Sequence, residues 1–134
     1  MLELASHYGE GPVDLSEISR RENISLKYLE QVIIPLRTAG LLKSIRGSKG
    51  GYSLAKPPAE ISLEDLYEIL EGPVNLVDCL GDPKLCERSP SCVTREIWSD
   101  VSKAIYRIFH SVTLEDMVRR RKEKEGMVPP MFEI

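Results

Sequence analysis

No stretch of this sequence approaches the roughly 18 consecutive apolar residues that a membrane-spanning helix needs. The first ten residues also lack the basic region and apolar core of a secretion signal. We therefore expect a soluble, cytoplasmic protein without a membrane partner. Aromatic residues make up only 6% of the 134 residues, so aliphatic side chains must fill the core. With 42% hydrophobic and 29% charged residues, the chain is expected to fold as a unit of single-domain size.

Signatures of the common enzyme classes are also missing. The sequence has no nucleophile elbow, no His-Glu-x-x-His pair and no dinucleotide-binding glycine fingerprint. Its two histidines, His7 and His110, have no metal-ligand spacing and are expected to be surface or packing residues. We therefore expect a binding protein that is not an enzyme.

The net charge of −3 is distributed unevenly along the chain. Residues 1–19 carry a net charge of −4, residues 20–56 carry +6, and the remainder carries −5. A locally basic segment can attract a polyanion such as nucleic acid, although a basic stretch is often only a solvated face. Within this segment a predicted helix-turn-helix is followed by a predicted β-hairpin, and this order favours nucleic acid as the partner.

Residues 1–40 predict three helices, of which the last two form a helix-turn-helix. A first helix over Met1–Tyr8 and a second helix capped by Asp14 precede a third helix, which Ser25 caps and Gly40 ends. The inward positions of the third helix recur at helical spacing: Leu26, Leu29, Val32, Ile33 and Leu36. Its first turns expose the polar side chains that a recognition helix requires: Lys27, Tyr28, Glu30 and Gln31.

A β-hairpin is predicted directly after the helix-turn-helix. Two short strands, Leu41–Arg46 and Tyr52–Leu54, flank the glycine-rich turn Gly47–Gly51. The turn could be only a hairpin loop, but its placement favours the wing of a winged helix, with Arg46 and Lys49 able to reach phosphates or the minor groove. The glycines are expected to let the backbone approach a phosphate closely.

Beyond the wing, the sequence predicts a connecting helix, a cysteine-containing loop and two further helices. Ser62 and Asp65 have capping-box spacing before a helix over Leu63–Glu71, and an irregular loop is expected at about Asp78–Cys92. An amphipathic helix over Val93–Ser111 carries an apolar stripe that is too broad to stay in water, so we expect it to form a dimer. The stripe consists of Ile97, Val101, Ala104, Ile105 and Ile108, and Trp98 and Val112 lie nearby. The last helix includes a basic stretch, residues 119–124, which we expect to be solvated.

The three cysteines Cys79, Cys86 and Cys92 lie close together on the predicted loop. They are too few for a secreted disulfide scaffold, and structural zinc sites favour cysteine pairs two to four residues apart. Thiolates on an open loop can instead wrap an iron–sulfur cluster, and three of them leave one iron site for another ligand. The nearby charges are mostly acidic, so only a bound metal is expected to keep these thiols deprotonated. Ordinary free cysteines and a cluster-free thiol switch are the alternatives.

The sequence closely resembles the Rrf2 family of bacterial winged-helix regulators over nearly its whole length. The resemblance rests on residues 63–72, the three-cysteine loop, and the motifs Ile24 to Gln31, Leu36-Arg37, Ala39-Gly40-Leu41, Arg46-Gly47 and Gly50-Gly51-Tyr52. The family includes an iron–sulfur-cluster regulator and a nitric-oxide-sensing repressor, so the resemblance implies a dimeric transcription factor. By position, it implies that Arg46 enters the minor groove and that the recognition-helix contacts are Ser25, Lys27, Tyr28 and Gln31.

Two features depart from the family pattern. Members usually begin somewhat earlier, with a basic lead into the first helix, whereas Met1 of this sequence is expected to lie within that helix. We therefore expect that the start is truncated or that the numbering omits it. Some members take a fourth cluster ligand from an acidic residue in that lead, and others from a histidine three positions after the last cysteine. Arg95 occupies the latter position here, so the fourth ligand is unassigned.

These observations predict a mostly α-helical fold with a small β-hairpin wing, in which a winged helix-turn-helix joins a long dimerisation helix. We expect the winged helix-turn-helix at residues 1–58, a connecting helix and cluster loop at 59–92, dimerisation and C-terminal helices at 93–126, and a flexible tail at 127–134. The expected partners are a second copy of the chain and double-stranded DNA with a palindromic operator. The expected DNA-binding residues are Ser25, Lys27, Tyr28, Gln31, Arg46, Ser48 and Lys49.

The expected cofactor is a 2Fe–2S or 4Fe–4S cluster held by Cys79, Cys86 and Cys92. The function predicted from these features is a transcriptional regulator, most simply a repressor, that senses cluster status, redox state or nitric oxide. A thiol-switch or metabolite-responsive regulator of the same fold is one alternative. A protein adaptor that does not bind DNA is another.

Overall fold

The computed structural model of the protein describes residues 1–127, which form seven α-helices, a two-stranded sheet and three short 3-10 turns. The helices are α1 (Leu2–Ser6), α2 (Leu15–Glu22), α3 (Leu26–Thr38), α4 (Leu63–Glu71), α5 (Asp78–Gly81), α6 (Val93–Ser111) and α7 (Leu114–Met127). The strands are β1 (Leu42–Ile45) and β2 (Gly51–Leu54), and the turns are Pro58–Glu60, Pro83–Leu85 and Ser89–Ser91. None of the helices in this range is both long and apolar enough to cross a membrane. Apart from Met127, the expected flexible tail lies outside the described residues.

The helix-turn-helix is formed by α2 and α3, and local capping defines both. The side chain of Asp14 accepts a hydrogen bond from the backbone N–H of Ser16 at 2.7 Å, which satisfies one free donor at the start of α2. Asn23 ends α2 in the left-handed conformation, with a φ of 53°. Ser25 then caps α3 by accepting a hydrogen bond from the backbone of Tyr28 at 3.4 Å.

The predicted wing is confirmed as an antiparallel hairpin in which Leu42 lies opposite Leu54. The hairpin is tied to the chain that precedes α2, because Val13 and Tyr52 exchange two backbone hydrogen bonds of 2.9 Å each. Gly51, with a φ of +152°, permits this contact, since a Cβ there would lie 2.3 Å from the carbonyl oxygen of Val13. The winged helix-turn-helix architecture predicted from the sequence is therefore present.

One hydrophobic cluster joins the winged helix to the segments after it. Leu36 of α3 and Leu54 of β2 are almost fully buried in the same cluster as Ile61 and Leu114. The backbone N–H of Leu114 donates to the carbonyl of Ile61 at 2.9 Å, and that of Leu63 donates to Val112 at 2.8 Å. The start of α4 is thus bonded to the junction between α6 and α7, next to the core of the winged helix.

The boundaries of α4 and α6 agree with the sequence-based prediction residue for residue. Ser62 and Asp65 form the predicted reciprocal capping box at the start of α4. The segment from Asp78 to Cys92, however, was wrongly predicted to be irregular, because it contains α5 and two 3-10 turns. Pro83 and Pro90 each stand at the start of a turn, where the fixed φ of proline favours helical geometry instead of preventing it.

Candidate nucleic-acid interface and cysteine loop

The polar face of α3 is open to solvent over its first two turns. All four residues expected to contact DNA from this helix are exposed: Ser25, Lys27, Tyr28 and Gln31. The opposite face packs into the core through Ile33 and Leu36, so the helix is held firmly behind its exposed surface. Leu26 was predicted to point inward, but 41% of its surface is exposed, because the first turn of α3 extends beyond the core.

The wing presents three exposed polar residues at its tip: Arg46, Ser48 and Lys49. Within residues 1–127, neither Arg46, Lys49 nor Lys27 of α3 forms an ion pair. Their positive charges are therefore not neutralised by neighbouring carboxylates and can act on an approaching polyanion. This arrangement gives the basic segment two adjacent contact elements, one helix and one hairpin.

The glycines of the wing have a structural role that the sequence did not reveal. A Cβ on Gly50 would lie 2.2 Å from the carbonyl oxygen of Ile45, and one on Gly51 would collide with Val13. Both positions therefore require glycine for contacts within the protein, independently of any phosphate. Gly47 has open space around it and a φ of +123°, which is the backbone conformation of a tight turn.

The three cysteines lie on one segment that packs against the start of α6. Cys79 is in α5, Cys86 follows the first 3-10 turn, and Cys92 is the residue immediately before α6. None is in a disulfide; Cys86 is exposed, and the other two are half-buried. Arg95 links two of them, since its Nε donates to the carbonyl oxygen of Cys79 at 3.3 Å and its backbone N–H donates to the Cys92 sulfur at 3.4 Å.

Cys92 differs from the other two thiols in its electrostatic environment. Its sulfur accepts the hydrogen bond from the backbone of Arg95 at the N-terminus of α6, and this bond lowers the pKa of the Cys92 thiol below its ordinary value of 9.0. The sequence-based expectation named only a bound metal as favouring the thiolate; at this position a backbone donor favours it as well. Charge counting missed the effect, because its largest cause is a backbone donor, and the charge of the Arg95 side chain contributes less.

Within residues 1–127, the cysteine loop contains thiol ligands but no preformed site for a single metal ion. Within the described residues, no group of three or more His, Cys, Asp or Glu side chains is arranged to bind one metal ion. The donor chemistry nevertheless fits an iron–sulfur cluster, because three unpaired thiols occupy one short segment and cluster irons prefer thiolate ligands. The residues available to hold such a cluster are Cys79, Cys86 and Cys92.

A second polar cluster, which sequence reasoning missed, joins α7 to the helix-turn-helix. Glu3 of α1 is only 6% exposed, and its carboxylate accepts hydrogen bonds from Arg121 at 2.6 Å and Arg21 at 3.4 Å. Arg121 also lies 3.5 Å from Glu22, at the end of α2. The basic stretch of α7 is therefore not simply solvated, as expected, because Arg121 is drawn to a buried carboxylate.

Burial of Glu3 on its own would raise the pKa of its carboxyl. The hydrogen bonds and positive charge of Arg121, together with the bond from Arg21, outweigh that effect, and the pKa of Glu3 is lowered from 4.5. The same pairing raises the pKa of Arg121. The pair is therefore ionised at neutral pH.

The apolar stripe of α6 is only partly covered within residues 1–127, where Ala104 and Ile105 are half-buried. Ile97 is 56% exposed and Ile108 is 62% exposed, and Val93, Trp98 and Val101 are exposed on the same helix. The other side of α6 packs against α4, where Tyr67 and Phe109 place their ring centres 5.0 Å apart. The exposed stripe is a contiguous surface of the kind that usually contacts another protein.

The known proteins to which this chain is similar are described as transcriptional regulators. A family model described as "Rrf2: Iron-dependent Transcriptional regulator" matches residues 1–120. The HTH-type transcriptional regulator CymR of Bacillus subtilis is 43% identical over 117 residues, covering 87% of this chain and 80% of the relative. The HTH-type transcriptional regulator IscR of Photorhabdus laumondii is 38% identical over 122 residues, covering 91% of this chain and 74% of the relative.

Two solved structures are similar over most of the chain. The structure of IscR from T. potens is 38% identical, with a TM-score of 0.78, and the match covers 98% of this chain and 87% of that one. The structure of B. subtilis CymR, described as the global cysteine regulator of that organism, is 42% identical, with a TM-score of 0.75. The match covers 89% of this chain and 87% of that one.

Proposed function

Because the chain belongs to the Rrf2 family of DNA-binding transcriptional regulators, we propose that it is a homodimeric repressor whose operator affinity depends on an iron–sulfur cluster bound by its cysteine loop. The observation that carries the cluster proposal is the set of three free thiols on one segment directly before α6. When bound, such a cluster supplies a centre whose charge and integrity change with oxidation, nitric oxide or iron supply.

DNA reading is assigned to the exposed face of α3 and to the wing. Gln31 can pair with the edge of an adenine through two hydrogen bonds, and Lys27 and Tyr28 flank it on the same surface. Ser25 holds its hydroxyl at the start of the helix, where it can contact a phosphate. Arg46, Ser48 and Lys49 contact the backbone or the minor groove, where a narrow groove attracts arginine.

Dimerisation is assigned to the exposed stripe of α6. A lone helix gains nothing by keeping Ile97 and Ile108 in water, whereas pairing with a second copy removes both from solvent. A two-fold pair of α6 helices would carry two α3 helices related by the same symmetry. Such a dimer would read a palindromic operator with half-sites about one helical turn of DNA apart.

The proposed coupling begins at Cys92. This residue caps α6, and Arg95 ties the first turn of α6 to the carbonyl of Cys79. Further along, the hydroxyl of Tyr106 accepts a hydrogen bond from the backbone of Val74, after α4, at 2.8 Å. If Cys79, Cys86 and Cys92 held one group in common, a displacement of Cys92 would act on the first turn of α6, and α6 would in turn move the segments bonded to it.

The DNA assignment is tested by measuring affinity for an operator duplex at several salt concentrations. Gln31→Ala should lose about 1–3 kcal/mol at one base pair and leave the salt dependence unchanged. Lys49→Ala should weaken binding to all sequences and flatten the salt dependence. A change in sequence preference without a change in salt dependence for Lys49→Ala would contradict the assignment of the wing.

The cluster is tested by anaerobic reconstitution with iron and sulfide. The wild-type chain should show visible charge-transfer absorption and bound iron, and Cys86→Ala should lose both. Ser91→Ala is the matched control, because this exposed hydroxyl lies on the same segment and is not an assigned ligand. Absence of iron from the wild type would exclude the cluster, and equal operator affinity with and without iron would exclude its regulatory role.

The lowered pKa of Cys92 favours one further candidate, a cluster-free thiol switch. In that mechanism two thiols would pass two electrons and two protons to an oxidant such as a peroxide and form a disulfide. The description of B. subtilis CymR as a cysteine regulator is in keeping with sulfur-based signalling. Peroxide would then change the operator affinity of iron-free protein, and Cys92→Ala would abolish that change.

A further inference from the structure

The most exposed aliphatic side chain of α3 is explained neither by the capping nor by the core of the helix. Ile34 is 64% exposed near the middle of α3, while its sequence neighbour Ile33 is buried. Isoleucine is a weaker helix former than the residues usual at exposed positions, so Ile34 does not serve the stability of the helix. Single exposed apolar side chains are common, so exposure alone does not indicate a role for Ile34. Its position on the helix does.

Ile34 lies on the same surface as the proposed reading residues. At 3.6 residues per turn it follows Gln31 by about one turn and Lys27 by about two turns, on the side opposite Leu36. This side belongs to the segment whose net charge of +6 favours DNA over another protein. The residue is thus placed for the major groove, next to the proposed adenine contact.

On the exposed face of α3, the residue one turn beyond Gln31 is apolar, and its exposed charged neighbours are Glu30 and Arg37. The hydroxyl of Thr38 donates to the carbonyl oxygen of Ile34 at 2.9 Å, so this donor is already in use. In the major groove the apolar feature of a base pair is the C5-methyl group of thymine. We propose that Ile34 is a specificity residue that recognises a thymine methyl group beside the base pair read by Gln31.

This inference rests on the proposed assignment of α3 as the reading helix, and the test separates the two. The full chain is first used to select a duplex from a random-sequence library. Each thymine of that duplex is then replaced singly by deoxyuridine, which removes only the methyl group, and affinities are measured by fluorescence anisotropy. Failure to enrich any sequence would overturn the DNA assignment itself, and the proposal for Ile34 with it.

One deoxyuridine substitution per half-site should weaken wild-type binding about fourfold, which corresponds to about 0.8 kcal/mol for one buried methyl group. Ile34→Ser should bind the thymine duplex at least fourfold more weakly than wild type and should not distinguish it from the deoxyuridine duplex. Ile34→Val retains the branched apolar surface and should keep the distinction. If an enriched duplex is obtained but no deoxyuridine affects wild type, or if Ile34→Ser retains the distinction, the proposal for Ile34 is overturned while the DNA assignment stands.

Discussion

The ion pair between Glu3 and Arg121 gives the sharpest prediction about stability. Arg121→Gln removes the 2.6 Å hydrogen bond and leaves a carboxylate, 7% exposed, with the more distant Arg21 as its remaining arginine partner. Breaking a fully buried pair costs about 3–5 kcal/mol. The Arg121 side chain is 34% exposed and that of Arg21 is 40% exposed, so solvent screens both. We therefore expect a loss of about 2 kcal/mol, within the range for a hydrogen bond to a charged group.

The loss is measured by urea unfolding at neutral pH and fixed protein concentration, with Arg120→Gln as the matched control. Arg120 is exposed on the same helix and pairs with no carboxylate within residues 1–127, so its substitution should change the free energy of unfolding by less than about 0.5 kcal/mol. Equal effects of the two substitutions would show that Glu3 does not depend on Arg121, and the reasoning about burial would fail.

The same pair predicts a pH dependence with a defined sign. The pKa of Glu3 is lowered from 4.5 in the folded chain, so the ionised carboxylate stabilises the fold above that pH. This contribution is lost as the pH falls through the lowered, folded-state pKa. The difference between wild type and Arg121→Gln should therefore be constant above about pH 5.5 and should shrink at lower pH. A difference that grows on acidification would contradict the assigned direction.

Three further predictions concern packing. Gly51→Ala should lower the free energy of unfolding in urea by about 1–3 kcal/mol, because the added Cβ would lie 2.3 Å from the Val13 carbonyl oxygen. Gly126→Ala in α7 is the control and should raise the free energy of unfolding by about 0.5–1 kcal/mol. Leu114→Ala should cost about 2–5 kcal/mol, since Leu114 is 1% exposed, and no loss would show that the α7 junction is not part of the core. Ile97→Glu should give a monomer by light scattering if α6 forms the dimer; a stable dimer would refute that assignment.

The parts of the fold that sequence predicted are those with local signals. The boundaries of α4 and α6 follow from residues next to them, such as the Ser62–Asp65 box and the turn at Pro90 before Val93. The contact between Glu3 and Arg121 joins residues 118 positions apart, and no local pattern encodes it. The same limit applied to Gly51, whose requirement depends on the backbone of Val13. Cys92 was missed for a different reason: its donor, the backbone N–H of Arg95, is only three residues away, but a count of side-chain charges does not include it.

The contacts around the α6–α7 junction bear on how a signal at the cysteine loop could reach DNA. Ile61 and Leu114 are joined by a backbone hydrogen bond and are buried in the same cluster as Leu36 on the inner face of α3. Close-packed cores of this kind transmit displacement and do not absorb it. Because Arg121 also holds α7 against α1 and α2, a shift of α6 would carry the winged helix with it as one body. The proposed signal would therefore change the spacing between the two reading helices of a dimer and leave the conformation of each helix unchanged.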